Sequence, residues 1–196
     1  MRAAKLAAAA DALKRCCGAN PPFSLAFLTD QARAPHPLLV ARVLPKGAAI
    51  ILRDYTMPGR AGLAARLKSV CTKRGVKLII GADPALAARL DADGVHLPSW
   101  ASPVSVPSGM IVTMACHDRA QLDRAGAIGA HLALLSPVFT TKSHPDEGAL
   151  GADGFRDLAA QSPLPVLALG GVDETNARQL ANPNVAGIAA IGAFLS

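Results

Sequence analysis

Eight short apolar runs punctuate the chain, at Ser24–Asp30, Gly47–Asp54, Lys77–Asp83, Gly94–Leu97, Met110–His117, His131–Phe139, Pro165–Gly171 and Gly187–Phe194. Each is four to nine residues long, and several are continuous rather than alternating, as in LALL, VLAL and IAAI. That is the pattern of parallel strands buried on both faces. Helix-like segments lie between the runs. Pro37–Leu44 is short and apolar, and Gly59–Lys73 sets Leu63, Leu67 and Val70 on one face. Asp83-Pro84 reads as a cap followed by proline at the first helical position. Asp118 with Gln121 makes a capping-box-like start, and Leu122 and Ala125 follow on one face. Asp173 opens another helix, which Pro183 follows. Between the fourth and fifth runs, Pro98, Pro103 and Pro107 argue against a full helix.

Alternating strand and helix predicts an α/β fold with a parallel sheet. Eight units predict a single (β/α)8 barrel of the TIM type, one domain over 1–196 with an N-terminal helix in 1–20 and the barrel in 24–194. The alternative is an open doubly wound sheet, which usually carries a Gly-rich nucleotide loop after its first strand. Here the first strand ends LTDQARAP, with no G-x-G-x-x-G. A length of 196 residues is compact for such a barrel, since about 250 is typical. The eighth run extends almost to Ser196, so the fold is expected to lack its final C-terminal helix. Leu6, Ala10, Leu13 and Cys17 fall at helical spacing. The helix they imply, Ala3–Cys17, or a partner subunit in a homo-oligomer, is expected to cover the exposed flank.

Composition narrows the function classes. With 51% hydrophobic and 17% charged residues, the chain is neither disordered, collagenous nor a coiled coil. A net charge of +6 favours anionic partners. No run of five or six basic residues occurs, and there is one Trp and one Tyr, so nucleic acid is not expected. The four cysteines form no C-x-x-C pair, which argues against a zinc site or redox dithiol and suits a reducing cytoplasm. Ala7–Ala10 is too short for a signal-peptide core, and no stretch approaches the roughly 20 apolar residues of a membrane span.

In a barrel of this kind the active site lies at the C-terminal strand ends. Polar residues collect there: Asp30, Arg53, Asp54, Asp83, His96, His117, Ser136 and Thr140 to His144. Gly170-Gly171 lets backbone approach a ligand closely, and Gly192 offers a second open N–H. Together they suit a phosphate, or merely tight turns. Arg53 suits a phosphate or carboxylate, or else a structural ion pair with Asp83 or another neighbouring strand end. His117 suits proton transfer near neutral pH, or a hydrogen bond within the barrel rim. The loop Thr140-Thr141-Lys142-Ser143-His144 could grip an anion or stay solvated.

The segments LAFLTD, ILRD, LIIGADPALAARLDADGVHL, SPVFTTKSHP, PVLALGGVDETNARQL and AGIAAIGAF resemble, in order, those of the thiamine phosphate synthase/TenI family. The resemblance spans nearly the whole chain. It implies a barrel fold and a place in thiamine biosynthesis. The synthase joins a pyrimidine methyl diphosphate to a thiazole phosphate and releases pyrophosphate, using Mg²⁺. The TenI branch includes thiazole tautomerases, which isomerise a thiazole carboxylate phosphate without a metal.

Position by position, the resemblance divides in two. Arg53 matches, but the synthase's Arg-Glu-Lys reads Arg53-Asp54-Tyr55, so the diphosphate-binding lysine is absent. The synthase's Asn-Asp after strand three, including a magnesium ligand, is replaced by Gly81-Ala82, with Asp83 one position later. The second magnesium ligand has no counterpart in His96-Leu97-Pro98-Ser99-Trp100-Ala101, and HLPS looks TenI-like. A synthase serine is Ala115, a lysine of the strand-six loop is His144, and the serine after strand eight is Gly192. His117, the proton-transfer residue in TenI-type tautomerases, is kept. So are Thr141, Gly170 and Gly171.

Resemblance therefore implies a binder of a small phosphorylated thiazole, with Thr141, Lys142, Gly170, Gly171 and Gly192 on substrate and phosphate. His117 and Arg53 are the catalytic candidates, with no metal ligand assigned. Mg²⁺, a pyrimidine diphosphate and a role for Asp83 enter only if synthase activity is retained. Two further classes stay open: a non-catalytic binder or regulator sensing a phosphorylated metabolite, and, on net charge alone, a nucleic-acid binder.

Overall fold

The computed structural model describes residues 2–102, 104–140 and 148–194. Eight strands form its centre: β1 Leu25–Leu28, β2 Ala49–Leu52, β3 Lys77–Gly81, β4 Gly94–Leu97, β5 Ile111–Cys116, β6 Leu132–Leu135, β7 Val166–Leu169 and β8 Val185–Ala190. They pair in parallel in chain order and close into a barrel, β8 returning to β1 with Leu25 opposite Ile188. Strands β1, β2, β4, β6 and β8 are buried at every residue. Their side chains pack alternately into the barrel and under the outer helices, so continuous apolar runs are what this architecture demands.

Most strands are shorter than the runs that announce them. Gly47–Asp54 contains β2, and His131–Phe139 contains β6, with the remaining residues turning out of the sheet. The outer helices are α1 Arg2–Cys16, α2 Pro37–Val43, α3 Arg60–Arg74, α4 Pro84–Arg89, α5 Arg119–Ala127 and α6 Gly151–Ala160. Local chemistry fixes several starts. The Asp83 carboxylate accepts from Leu86 N–H at 2.8 Å, and Pro84 follows at the first turn. The Asp118 carboxylate accepts from Gln121 N–H at 2.8 Å, and Gln121 Oε1 reaches back to His117 N–H at 2.9 Å. That is a capping box displaced by one residue. Leu67, Leu122 and Ala125 face the core as their spacing requires, with Leu63 and Val70 packed against its edge.

Two differences from expectation have local causes. Asp173 does not open an α-helix. Its Oδ1 accepts from Thr175 N–H, Thr175 Oγ1 and Asn176 N–H at 2.8, 2.6 and 3.2 Å. This side-chain turn competes with helix, and only a 3₁₀ turn, Ala177–Leu180, forms before Pro183. Conversely, α6 lacks a starting signal but buries Phe155 and Ala159. No helix connects β4 to β5 among the described residues, in keeping with the prolines there.

The flank beside β8 is covered by α1, which buries Leu6, Ala10 and Leu13. Burial of each leucine is worth about 1.5–3 kcal/mol. After β8 the described chain makes a short 3₁₀ turn, Gly192–Phe194, whose Phe194 ring meets Phe27 edge to face at 5.5 Å. No helix among the described residues is long and apolar enough to cross a membrane.

Candidate active site

The C-terminal strand ends open onto two adjoining recesses. One, of about 370 Å³, is the barrel mouth, lined by Arg53, Tyr55, His96, Trp100, His117 and Ser136 among others. The other, of about 280 Å³, is lined by Gly170, Gly171, Gly192, Asp173, Arg2 and Arg33 among others. Leu169 at the end of β7 belongs to both.

His117 follows β5 directly, and its backbone N–H is held by Gln121 at 2.9 Å. Its Nδ1 lies 2.8 Å from the Ser136 carbonyl oxygen. A carbonyl can only accept, so in the neutral ring Nδ1 carries the hydrogen and Nε2 keeps the lone pair. Ser136 Oγ is 3.4 Å from the same nitrogen. The chain thus sets this imidazole in the form that accepts a proton at Nε2.

His96 is a different kind of histidine. It is 1% exposed, and its Nδ1 lies 2.9 Å from Thr113 Oγ1 on the neighbouring strand. Burial, reinforced by the charge of Arg53, pushes its pKa down to about 3. A neutral imidazole therefore sits at the base of the mouth.

Arg53 directly follows β2, its N–H donating to Thr29 Oγ1 at 3.0 Å. Its ion-pair partner is Asp30, at 2.7 Å, rather than Asp83. Asp30 also takes Arg33, through Nε at 2.8 Å and Nη2 at 2.7 Å. Burial works to raise the Asp30 carboxyl, but the hydrogen bonds from Arg33 and the charges of Arg33 and Arg53 hold it below its usual value. Two guanidiniums on one carboxylate leave one net positive charge between the recesses.

In the second recess Gly170 and Gly171 adopt φ of +95° and +66°. A Cβ on Gly171 would fall 2.8 Å from the Phe139 Cβ and 3.0 Å from two carbonyl oxygens. Backbone conformation and space both require glycine there. At Gly192 a Cβ would meet nothing within 4 Å, so that position opens onto free space. Arg2 reaches this recess from α1, with Glu174 Oε2 3.8 Å from its Nε. Thr141 and Lys142, expected on the substrate, lie outside the described residues.

The structure thus brings His117 and Arg53 into one cavity and Gly170, Gly171 and Gly192 into the next. It adds Arg2, Arg33, Tyr55 and Trp100, which the sequence alone did not assign to the site. Arg33 lies in the polar loop after β1, a position where its type was a signal. Arg2 carried none, because nothing local says that α1 begins beside the loop after β7.

The carboxylates near the mouth are already engaged. Asp83 caps α4 and lies 3.6 Å from Arg60. Asp54 accepts from Gln31 N–H at 2.8 Å, and Asp30 holds two arginines. No group of three or more His, Cys, Asp or Glu able to hold a metal occurs among the described residues. Among the described residues each carboxylate at the mouth thus already accepts a hydrogen bond or an ion pair.

Comparison with known proteins agrees with the geometry of the fold. The family profile described as thiamine monophosphate synthase matches residues 25–194. The thiamine-phosphate synthase of Coprothermobacter proteolyticus is 36% identical over 157 residues, covering 76% of this chain and 74% of that protein. That of Alcanivorax borkumensis is 33% identical over 179 residues, covering 85% and 82%. The solved thiamine phosphate pyrophosphorylase of Pyrococcus furiosus superposes with a TM-score of 0.73 at 25% identity, covering 85% of this chain and 84% of that one. The chain belongs to the thiamine-phosphate synthase/TenI family of thiamine biosynthesis.

Proposed function

We propose that the chain is an isomerase of this family that binds a thiazole phosphate and moves a proton between two of its carbons, as TenI-type thiazole tautomerases do. The observation that carries this reading is one imidazole poised to accept a proton beside a glycine-lined recess, in a mouth whose carboxylates are engaged elsewhere. The phosphate would enter the recess of Gly170, Gly171 and Gly192, where backbone N–H groups suit an anion. The net positive charge of Arg33, Asp30 and Arg53 would favour the same end. The ring would then extend past Leu169 into the mouth. There His117 Nε2 would take a proton from one carbon of the substrate and return it to another, so that no atom or charge is gained or lost. Arg53 would hold the carboxylate or steady the phosphate.

Release of a diphosphate makes a different demand. A departing diphosphate needs a metal or a cationic clamp, and the single net charge of Arg33, Asp30 and Arg53 is small beside it. Four free cysteines suit a reducing cytoplasm, where we place the reaction.

The test is to assay both reactions with purified protein, with and without Mg²⁺. Isomerisation of thiazole carboxylate phosphate should proceed without metal. His117→Gln should lower its kcat by about 10²–10⁴-fold, the usual size of general acid–base catalysis, with ligand binding and Tm unchanged. Robust Mg²⁺-dependent thiamine phosphate formation would overturn the reading. Saturable binding without turnover of either substrate would replace the enzyme by a binder or regulator.

A further inference from the structure

Across the mouth from the glycine recess stands an aromatic wall. Tyr55, three residues past β2, and Trp100, three residues past β4, meet edge to face with ring centroids 6.0 Å apart. Both line the cavity that holds Arg53 and His117. The strand end beneath Tyr55 is Gly81, where a Cβ would fall 2.7 Å from the Leu52 carbonyl oxygen and 2.8 Å from Tyr55 Cε1. The missing side chain at Gly81 is what gives the phenol ring its seat. Arg60 ties the same two strand ends, donating from Nη2 to the carbonyls of Leu52 and Gly81.

Trp100 is seated differently. Its loop is fixed by Ala101 N–H on the Pro98 carbonyl at 3.0 Å and by Arg124 on the Ser99 carbonyl. Yet the indole is 71% exposed. A rim indole with most of its surface in water offers a face that a second flat ring would cover. The charge on this side of the cavity is nearly balanced. Arg53 is paired with Asp30, and Asp54 adds a negative charge. A polyanion finds little attraction there, whereas the face of a flat ring gains by burying apolar surface.

We propose that Tyr55 and Trp100 form a specificity wall that takes a planar heteroaromatic ring, the ring of the ester whose phosphate lies in the glycine recess. The proposal rests on the reading of the ligand as a phosphorylated heterocycle. It deepens that reading by assigning the ring to this wall and excluding a diphosphate from it, while a carboxylate on the ring meets Arg53. The two residues position substrate and take no part in proton transfer.

Trp100 is the only tryptophan in the chain, so its fluorescence reports this wall alone. The intact protein is titrated with an unphosphorylated thiazole alcohol, and separately with inorganic phosphate and with pyrophosphate at matched ionic strength. The thiazole should change the emission saturably, and neither anion should. Calorimetry with thiazole phosphate should show roughly 2- to 12-fold weaker binding in Tyr55→Ala and Trp100→Ala, the usual worth of an aromatic pair. Tyr55→Phe and Trp100→Phe should restore it, and inorganic phosphate should bind all variants alike. In turnover, the alanine variants should raise KM and leave kcat near its original value. An emission change with pyrophosphate but not with thiazole, or unweakened binding in both alanine variants, overturns the proposal. If ring binding behaves as stated and no isomerisation occurs, the wall stands and the isomerase falls. If isomerisation occurs with KM unmoved in both variants, the isomerase stands and the wall falls.

Discussion

Lowering the pH from 6.5 to 4.5 should weaken the fold through His96, and the size of the effect comes from its burial. The side chain is closed off between β4 and β5, with Thr113 as its hydrogen-bond partner. Its pKa is pushed down to about 3, against about 6.5 in an unfolded chain. Between those values the unfolded chain binds a proton that the native protein does not. The free energy of unfolding therefore falls as pH falls. The contribution is complete above the unfolded pKa, declines through the window, and is exhausted below the native pKa. Integrated from pH 6.5 to 4.5, one such group costs about 2 kcal/mol. Urea denaturation at both pH values should be run on the natural protein and on His96→Asn. Asparagine can still hydrogen-bond Thr113 but takes up no proton. The natural protein should lose about 2 kcal/mol more than the variant over this range. Asp30 and Asp173, both held below the usual carboxylate value, titrate at lower pH and are common to both proteins. Equal acid sensitivity in the two proteins would refute the reasoning, whatever the variant's stability at neutral pH.

Other consequences can be checked in the same way. Gly171→Ala should cost about 1–3 kcal/mol, because alanine must take a positive φ and its Cβ would press on Phe139; thermal unfolding and phosphate binding should both report the loss. Gly192→Ser, with open space before it, should leave Tm unchanged. Burial pushes the Cys71 and Cys116 thiols up to about 12, whereas Cys16 is exposed. Alkylation of the native protein, read by mass spectrometry, should therefore mark Cys16 and spare Cys71 and Cys116 until denaturant is added; native labelling of Cys116 would contradict its enclosure.

The barrel was legible because its strands are hydrophobic on both faces, a signal that needs no long-range knowledge. LALL and VLAL can hardly be anything but buried strand once helices flank them. Strand ends were less legible, since Gly47 and Asp54 continue an apolar run yet turn out of the sheet. Asp173 was ambiguous because the same side chain caps a helix or closes a turn, and the residues after it decide between the two. At the site, Arg53 and His117 could be placed by their position after strands. Their partners could not. Asp30 meets Arg53 only because β1 and β2 are neighbours, and the Ser136 carbonyl fixes the His117 ring across β5 and β6. The seating of Tyr55 on Gly81 joins two residues that signal nothing separately.

The docking of α1 on β8 also bears on how the chain reaches this state. The helix made first depends on the strand made last, and β1 likewise waits for β8 to close the ring. Until β8 has left the ribosome, β1 and β7 each present an open edge, and Leu6, Ala10 and Leu13 lack the main element that covers them. Open edges and uncovered apolar stripes invite association between chains. Assembly of this barrel is thus cooperative by construction. Partial products halted before Val185 should gather on chaperones, and folding should commit in one step when the final strand arrives.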